Sequence, residues 1–343
     1  MGRVSRKIEQ LKFAWYCFQR GNNSQFIGRV KNLDSEFEQV TLEKFGEKSS
    51  EDIIYFIDMK ESHSGFFADH NRLLSLLYFA DIYGLRPVVQ YSSGYCYAEK
   101  HPVNGTENPF EYYFRQPGEI SLEEMKQYKC VLRSRKENGN AVVPLKGGKG
   151  GYDRREEYIN EMARITGKYI HLNDTISRQF EQEIGQLLDN KSVLAVHVRG
   201  TDFKQNFNGH PISVSAKEYL EETKKLFENG TYERVFLATD DAEALELFKA
   251  QFGEKLLYYK DVIRSDGNDT VMHSEIQREN HHYLLGVEVL RDMYTLASCN
   301  GLVAGLSQVS FAARIQKKSS GKDYTDLVVI DKGINLHGSK NCT

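Results

Sequence analysis

Short apolar runs alternate along the chain with longer stretches in which apolar residues recur every three to four positions. The runs are rich in β-branched residues and are typical of strands buried on both faces of a parallel sheet. The three-to-four spacing is typical of helices packed against such a sheet. From about residue 192 onward this alternation is regular. It predicts strands at 193–198, 235–238, 255–259, 301–305 and 327–330, and helices at 215–227, from 242 to about 251, at 283–299 and at 307–317.

The first half of the chain carries the same pattern once, as a βαβ unit. The unit consists of a strand at 53–57, a polar loop at 58–71, a helix at 72–83 and a strand at 86–90. Residues 1–50 predict helices joined by polar turns. Because 343 residues suffice for about two domains, we predict an α/β protein of two Rossmann-like domains, residues 1–180 and 181–343. Their parallel sheets are expected to face each other across a cleft.

An amphipathic pattern marks the N-terminal segment. Ile8, Leu11, Trp15 and Phe18 recur at spacings of three and four, and basic side chains surround them. Such a pattern predicts a helix with one apolar face. Two interpretations remain open: the helix docks on the body of the protein, which is the commoner arrangement, or it lies on an acidic membrane surface as a peripheral contact.

Composition excludes several classes of protein. The net charge of −3 gives no reason to expect a nucleic-acid partner. Five cysteines, an odd number without a CxxC pair, argue against a disulfide framework and against a zinc site. No stretch reaches the 18 apolar residues of a membrane span, and the N-terminus lacks the apolar segment of a secretory signal. We therefore expect reduced thiols and a cytoplasmic protein.

Polar residues end the apolar run Val193–Val198 abruptly. His197 and Arg199 alternate along the strand and point the same way, and Asp202 follows closely enough to orient the arginine. A base and a fixed cation at the carboxyl edge of a parallel sheet lie where open α/β sheets bind ligands. Arginine suits a diphosphate, since its planar fork keeps its charge and offers paired donors. The alternative is a surface salt bridge at a strand end.

Three more sets of polar residues are candidates for the same site, two of them directly after strands and one in the helix before a strand. Asp241 opens a helix after its strand, where it predicts either an N-cap or a carboxylate that accepts from a nucleotide hydroxyl or base. Ser307 and Gln308 open another helix, which predicts a cap or a phosphate site. Asp292 lies inside a helix, where it could be a solvated residue or the single carboxylate that a guanine edge needs.

Together these residues resemble the GDP-fucose-dependent fucosyltransferase superfamily of the GT-B type, and most of all its α1,6-fucosyltransferase branch. The resemblance covers residues 190–318 and is thin before them. It is carried by the motifs His197-x-Arg199-x-x-Asp202, His210-Pro211, Glu218-Tyr219, residues 236–241 with Asp241, Leu285-Gly286-Val287 with Asp292, and Leu302-Val303 with Ser307-Gln308.

The resemblance implies a role for each site residue. Arg199 would hold the β-phosphate of the donor and stabilise the leaving diphosphate, which makes it the expected catalytic residue. His197 and Asp292 would contact ribose and guanine, Ser307 and Gln308 would hold phosphate oxygens, and Asp202 and Asp241 would support the donor site. Asn71 and Arg72 are the acceptor-side candidates. The implied reaction is an inverting transfer of fucose from GDP-fucose to a glycan or lipid-linked oligosaccharide, as in bacterial polysaccharide assembly. It needs no metal and no cofactor.

The chain also departs from the α1,6 branch. Gly200 stands where that branch has a second arginine, and Phe203 stands where it has a lysine. These departures leave the linkage and the general base open, with Glu61, His63, Asp69 and His70 as base candidates. The alternatives to a fucosyltransferase are an enzyme of the same fold that uses another GDP-sugar, and a non-catalytic protein that binds glycans or nucleotides.

Overall fold

A computed structural model describes the protein at residues 11, 15, 40–48, 53–59, 64–129, 131–134, 155–200, 208–265 and 278–337. The chain divides into two compact units, Met1–Asn173 (unit 1) and Asp174–Thr343 (unit 2). Each unit contains a sheet with helices, which confirms the predicted α/β class. Position 180, where the sequence sets the domain boundary, lies inside the first helix of unit 2.

Unit 1 is built on a four-stranded sheet in the order β1-β4-β2-β3. Strand β2 is parallel to both of its neighbours, while β1 is an antiparallel edge strand beside β4. The elements of unit 1 are β1 (Val40–Glu43), β2 (Ile54–Met59), α1 (Phe66–Tyr83), β3 (Arg86–Tyr91), α2 (Leu122–Met125), β4 (Val131–Ser134) and α3 (Glu156–Tyr169).

Two expectations for unit 1 are wrong. Strand β1 lies within residues 1–50, where the sequence predicted only helices, because four residues gain strand structure by pairing with β4. Helix α1 begins at Phe66, six residues before the predicted start. Those six residues look like a loop because they include the polar Asp69, His70 and Asn71. All three are buried in the structure.

Unit 2 is built on a fully parallel sheet in the order β7-β6-β5-β8-β9, so β5 lies at its centre. The strands begin and end close to the predicted positions, except that β7 has two residues. The elements are α4 (Asp174–Leu188), β5 (Val193–Val198), α5 (Ala216–Glu228), β6 (Arg234–Thr239), α6 (Ala242–Phe252), β7 (Leu256–Leu257), α7 (His281–Ser298), β8 (Gly301–Gly305), α8 (Gln308–Ser319) and β9 (Leu327–Ile330).

The strand order of unit 2 reverses at β5. The chain proceeds from β5 through β6 to β7 on one side and then returns to β8 and β9 on the other side. Leu194, Val196 and Val198 pack on one face into the core formed with α5 and α6. Ligands of open α/β sheets bind outside the carboxyl ends of the strands at such a reversal, which puts the expected site at the ends of β5 and β8.

Two residues of the predicted N-terminal helix, Leu11 and Trp15, lie among the described residues. Leu11 and Trp15 are helical, and their side chains are 69% and 61% exposed. The other positions of the amphipathic pattern and the Gly-rich run at 146–152 lie outside the described residues. Within the described ranges, no helix has the length and the apolar character needed to span a membrane.

Candidate active site

Arg199 is held at the carboxyl edge of the unit 2 sheet by Asp240. The Arg199 Nη1 donates to Asp240 Oδ2, and the backbone N–H of Gly200 donates to Asp240 Oδ1 over 2.9 Å. Strand register brings the two together, because Val198 pairs with Thr239 and the next residues on the two strands are Arg199 and Asp240. The arginine side chain remains 30% exposed. The cation is therefore fixed in place while part of its surface is open to a ligand.

Asp240 is a partner of Arg199 that the sequence did not single out. Asp202 lies outside the described residues, so its part in the site stays a prediction. The sequence assigns a role to the neighbouring Asp241 and none to Asp240. Asp240 could have been predicted from its position, because it directly follows β6, the strand that pairs with β5.

His197 joins the end of β5 to the end of β8. Its side chain is buried, and its Nδ1 lies 3.1 Å from Ser307 Oγ. Burial, assisted by the positive charge of Arg199, lowers the pKa of His197 to about 4. The imidazole is therefore neutral at pH 7 and can donate from one ring nitrogen and accept at the other.

Ser307 begins helix α8 as a cap. Its Oγ accepts from the N–H of Ser310 over 3.0 Å, and the Ser310 Oγ accepts from the N–H of Ser307 over 3.1 Å. This reciprocal capping box fixes the first turn. Gln308 is the first residue of the helix and is partly exposed. The first N–H groups of a helix have no partner inside it, so the start of α8 can supply donors to an anion beside His197 and Arg199.

Asp241 caps helix α6. Its Oδ1 accepts from the N–H groups of Glu243 at 2.9 Å and Ala244 at 3.4 Å, and the residue is buried. Of the two interpretations given by the sequence, the cap is the one that the geometry describes. Asp241 also limits the residue at position 200, because a Cβ added to Gly200 would lie 2.4 Å from the Asp241 Cβ. A side chain at position 200 thus requires this segment to move.

Asp292 lies on α7, which packs against β5, β6 and α8. The carboxylate is partly buried, and burial raises its pKa to about 7 against the opposing effect of Arg291 and Arg264. Arg264 itself is held by the backbone carbonyl groups of Val262 and Tyr259 at 3.0 and 2.9 Å. The sequence did not single out Arg264, which has no strand-end or motif position to mark it. Near neutral pH, Asp292 can therefore exist with or without its proton.

Ion pairs fix the helix that carries Asp292. Arg291 donates to Glu183 and Asp261 at 2.7 and 2.8 Å and lies 3.8 Å from the centre of the Tyr259 ring. One turn earlier, Glu288 accepts from Arg278 over 2.6 Å. Because these contacts tie α7 to α4 and to the segment after β7, the position of Asp292 is set by its surroundings.

The acceptor-side candidates lie on α1 in unit 1. Asn71 is buried, and the Arg72 Nη1 lies 3.5 Å from Asp69 Oδ1. Asn71 and Arg72 belong to unit 1, whereas the residues of the proposed donor site belong to unit 2. Of the four base candidates, Asp69 and His70 are buried on α1, whereas Glu61 and His63 lie outside the described residues.

The described ranges contain no cluster of side chains that could bind a metal ion. No group of three or more His, Cys, Asp or Glu side chains there is placed to hold an ion. The positive charge that the site offers to an anion comes instead from Arg199 and the start of α8.

Comparison with known proteins gives solved structures only. No protein-family model matches the chain, and no curated protein matches it. An α1,6-fucosyltransferase, NodZ, soaked with GDP-fucose is 17% identical over 76% of this chain and 92% of its own, with a TM-score of 0.45. The fucosyltransferase NodZ from Bradyrhizobium is 15% identical over 75% and 91%, with a TM-score of 0.44. POFUT1 in complex with GDP-fucose is 12% identical over 83% and 99%, with a TM-score of 0.49.

Proposed function

We propose that the protein transfers fucose from GDP-fucose to a glycan, with the donor bound by unit 2 and the acceptor by unit 1. The observation that carries the proposal is the junction of β5 and β8. There an arginine fixed by Asp240, a neutral His197 and the capped start of α8 meet at the reversal of the strand order. This combination suits a diphosphate, since it offers one fixed cation and several N–H and O–H donors.

The choice of guanine as the base and of fucose as the sugar rests on other residues than those that suit the diphosphate. Asp292 can accept from two donors on a guanine edge, whereas uracil and adenine do not present that pair of donors. The choice of fucose rests on the motifs from His197 to Gln308 that resemble the fucosyltransferase superfamily. Another GDP-sugar would use the same diphosphate and guanine contacts, so the donor sugar must be tested separately.

Arg199 is the proposed catalytic residue. As the bond from fucose to the β-phosphate breaks, negative charge grows on the diphosphate and positive charge on the sugar. A preorganised cation stabilises the first of these without rearrangement, which is the main contribution expected from the protein. We propose that this cation and the start of α8 replace a divalent metal, and that the acceptor attacks from the opposite face of the sugar with inversion.

Location and acceptor type belong to the same proposal. The free thiols of Cys96 and Cys299 suit a reducing cytoplasm. Leu11 and Trp15 are four residues apart, each is helical, and both are exposed, which supports a peripheral contact with a membrane that carries a lipid-linked oligosaccharide. The product would be part of a polysaccharide.

Calorimetric titration tests the donor site first. With EDTA present, the full-length protein should bind GDP with micromolar affinity and should not respond to UDP. Arg199→Ala should weaken GDP binding and abolish fucose transfer to a panel of immobilised glycans. Absence of GDP binding would refute the proposal. Binding of GDP-fucose without transfer to any glycan or to water would favour a non-catalytic binding protein.

A further inference from the structure

A cavity lies at the end of unit 2 opposite to the proposed donor site. Helices α5 and α6 each run from the carboxyl edge of the sheet back to its amino edge, and they pack side by side. Their last turns and the turn before β7 surround an open cavity of about 230 Å³. Because β6 has six residues and a strand rises about 3.3 Å per residue, about 20 Å of sheet separates this cavity from Arg199. The side chains that line it are Lys224, Phe227, Glu228, Gln251, Phe252 and Lys255.

Two phenylalanine rings form the apolar part of the cavity wall. Phe252 is 8% exposed and Phe227 is partly exposed, and their ring centres lie 5.4 Å apart with an angle of 72° between the planes. Lys255 Nζ lies 5.4 Å from the centre of the Phe227 ring. Because the two rings pack edge to face, they present a fixed apolar surface to one side of a ligand.

Four polar side chains complete the wall and make no hydrogen bond and no ion pair in the described part of the chain. They are Lys224, Glu228, Gln251 and Lys255. Two ammonium groups and an amide N–H₂ can donate, while a carboxylate and the amide oxygen can accept. The cavity therefore offers donors and acceptors beside an apolar surface.

The charge around the cavity is close to zero. Lys224 and Lys255 are cations and Glu228 is an anion, which leaves one positive charge in excess. Helices α5 and α6 both end here, and each C-terminal end acts as about −0.5 of an elementary charge. The two helix ends thus offset the excess positive charge. Such a site attracts an anion only weakly, and it favours a neutral ligand that carries hydroxyl groups.

The size of the cavity narrows the choice of ligand further. Pockets for drug-sized ligands measure about 300–1,000 Å³, so a cavity of about 230 Å³ is too small for a nucleotide and suits a single ring. A sugar ring has a face of C–H groups that packs on an aromatic side chain. Its hydroxyl groups both donate and accept. The cavity wall complements both features.

We propose that this cavity is a second saccharide site, which binds one ring of a neutral sugar. The ring packs against Phe227, Glu228 accepts from its hydroxyl groups, and Gln251 and Lys255 donate to its oxygen atoms. The site binds the sugar without changing it. The class of ligand follows from the cavity itself, so this inference goes beyond the proposed function and does not depend on it.

Saturation-transfer NMR on the full-length protein measures this binding without any nucleotide. The probes are methyl glycosides of neutral hexoses and N-acetylhexosamines, with a methyl hexuronide and inorganic phosphate as anions for comparison. At least one neutral glycoside should bind with millimolar affinity, as expected for one ring held by a few hydrogen bonds. Both anions should bind more weakly. A preference for either anion would overturn the proposal, and so would a lack of binding by every neutral glycoside.

Three exposed positions of the wall allow variants that leave the core of unit 2 unchanged. Gln251→Ala and Lys255→Ala should each weaken binding of the neutral glycoside by about threefold to tenfold, the loss of one hydrogen bond. The control is Lys249→Ala, since Lys249 is a lysine of α6 that pairs with Glu246 over 2.7 Å and does not line the cavity. If both wall variants bind the glycoside as tightly as this control, the sugar lies elsewhere and the proposal is wrong.

Glu228→Gln tests the charge balance of the site. The variant keeps a hydrogen-bond acceptor but removes the negative charge, so it should retain the neutral glycoside and bind the hexuronide more tightly than the wild type does. An unchanged affinity for the hexuronide would contradict the charge balance on which the choice of a neutral ligand rests.

GDP titration of the same variants separates this site from the proposed transferase. Gln251→Ala and Lys255→Ala should bind GDP as the wild type does, because about 20 Å of sheet lies between the cavity and Arg199. Glycoside binding that depends on Gln251 and Lys255, without GDP binding, supports the saccharide site and refutes the proposed function. GDP binding without glycoside binding refutes the saccharide site and leaves the proposed function standing.

Discussion

His197 should make the stability of unit 2 depend on pH in a way that one substitution removes. Its ordinary pKa of 6.5 is lowered to about 4 by burial and by Arg199. The unfolded chain therefore binds a proton at pH 5 that the folded chain does not bind. The stability contributed by the neutral ring is present above pH 6.5 and is lost as the pH falls toward 4. Between pH 7 and pH 5, this loss amounts to about 2 kcal/mol in the free energy of unfolding.

The assay compares the wild type with His197→Gln, which keeps an amide group able to meet Ser307 Oγ. Thermal unfolding of both proteins is followed at pH 7 and at pH 5. The carboxyl groups of Asp69 and Asp292 also titrate over this range, but they contribute equally to both proteins and cancel in the difference. The fall in Tm from pH 7 to pH 5 should be larger in the wild type by about 4–8 °C, given about 2–4 °C per kcal/mol for a unit of this size.

A matched control keeps the comparison specific. His171→Gln replaces an exposed histidine of unit 1 whose Nε2 contacts the Lys168 carbonyl oxygen over 3.2 Å. It should keep the pH dependence of the wild type. If His197→Gln and the wild type lose stability in parallel, the ring is not held neutral by burial. The reasoning about a neutral donor and acceptor at the end of β5 would then be wrong.

Three further predictions concern the donor site and its supports. Arg199→Lys keeps the charge but loses the planar fork of donors, so calorimetry should give a GDP affinity about tenfold lower than that of the wild type. Arg199→Ala should lose still more affinity. Equal losses in the two variants would argue that the paired donors of the guanidinium do not contribute to GDP binding. Asp241→Ala removes the cap of α6 and should lower the free energy of unfolding by about 1 kcal/mol, measured by thermal melting. GDP binding should weaken from pH 8 to pH 6 as Asp292 gains its proton, and Asp292→Asn should reduce that dependence to the titration of GDP itself.

The buried strands could be predicted because their sequence patterns are local. Val193–Val198 is an apolar run that only His197 interrupts, and the strand covers the same six positions. Ser307 could likewise be placed at a helix start, since a serine after a strand is a local signal. The candidate position of Arg199 follows from the end of that same strand.

The partners of these residues could not be predicted from the sequence. Asp202, three positions after Arg199, lies outside the described residues, and the partner that the structure shows for Arg199 is Asp240, 41 positions away. The pairing of β5 with β6 creates that contact, and no local pattern encodes it. The start of α1 was missed for a related reason. Asp69, His70 and Asn71 look solvated by residue type, and only the tertiary structure buries them.

The contact at Gly200 also constrains the order in which this loop can change. A side chain at position 200 has no room on the present backbone while Asp241 keeps its Cβ, because the two Cβ atoms would be 2.4 Å apart. Changing Asp241 to glycine first costs only a few tenths of a kcal/mol at a helix cap. The reverse order passes through a strained intermediate. The two positions are therefore epistatic, since the cost of a side chain at position 200 depends on the residue at position 241.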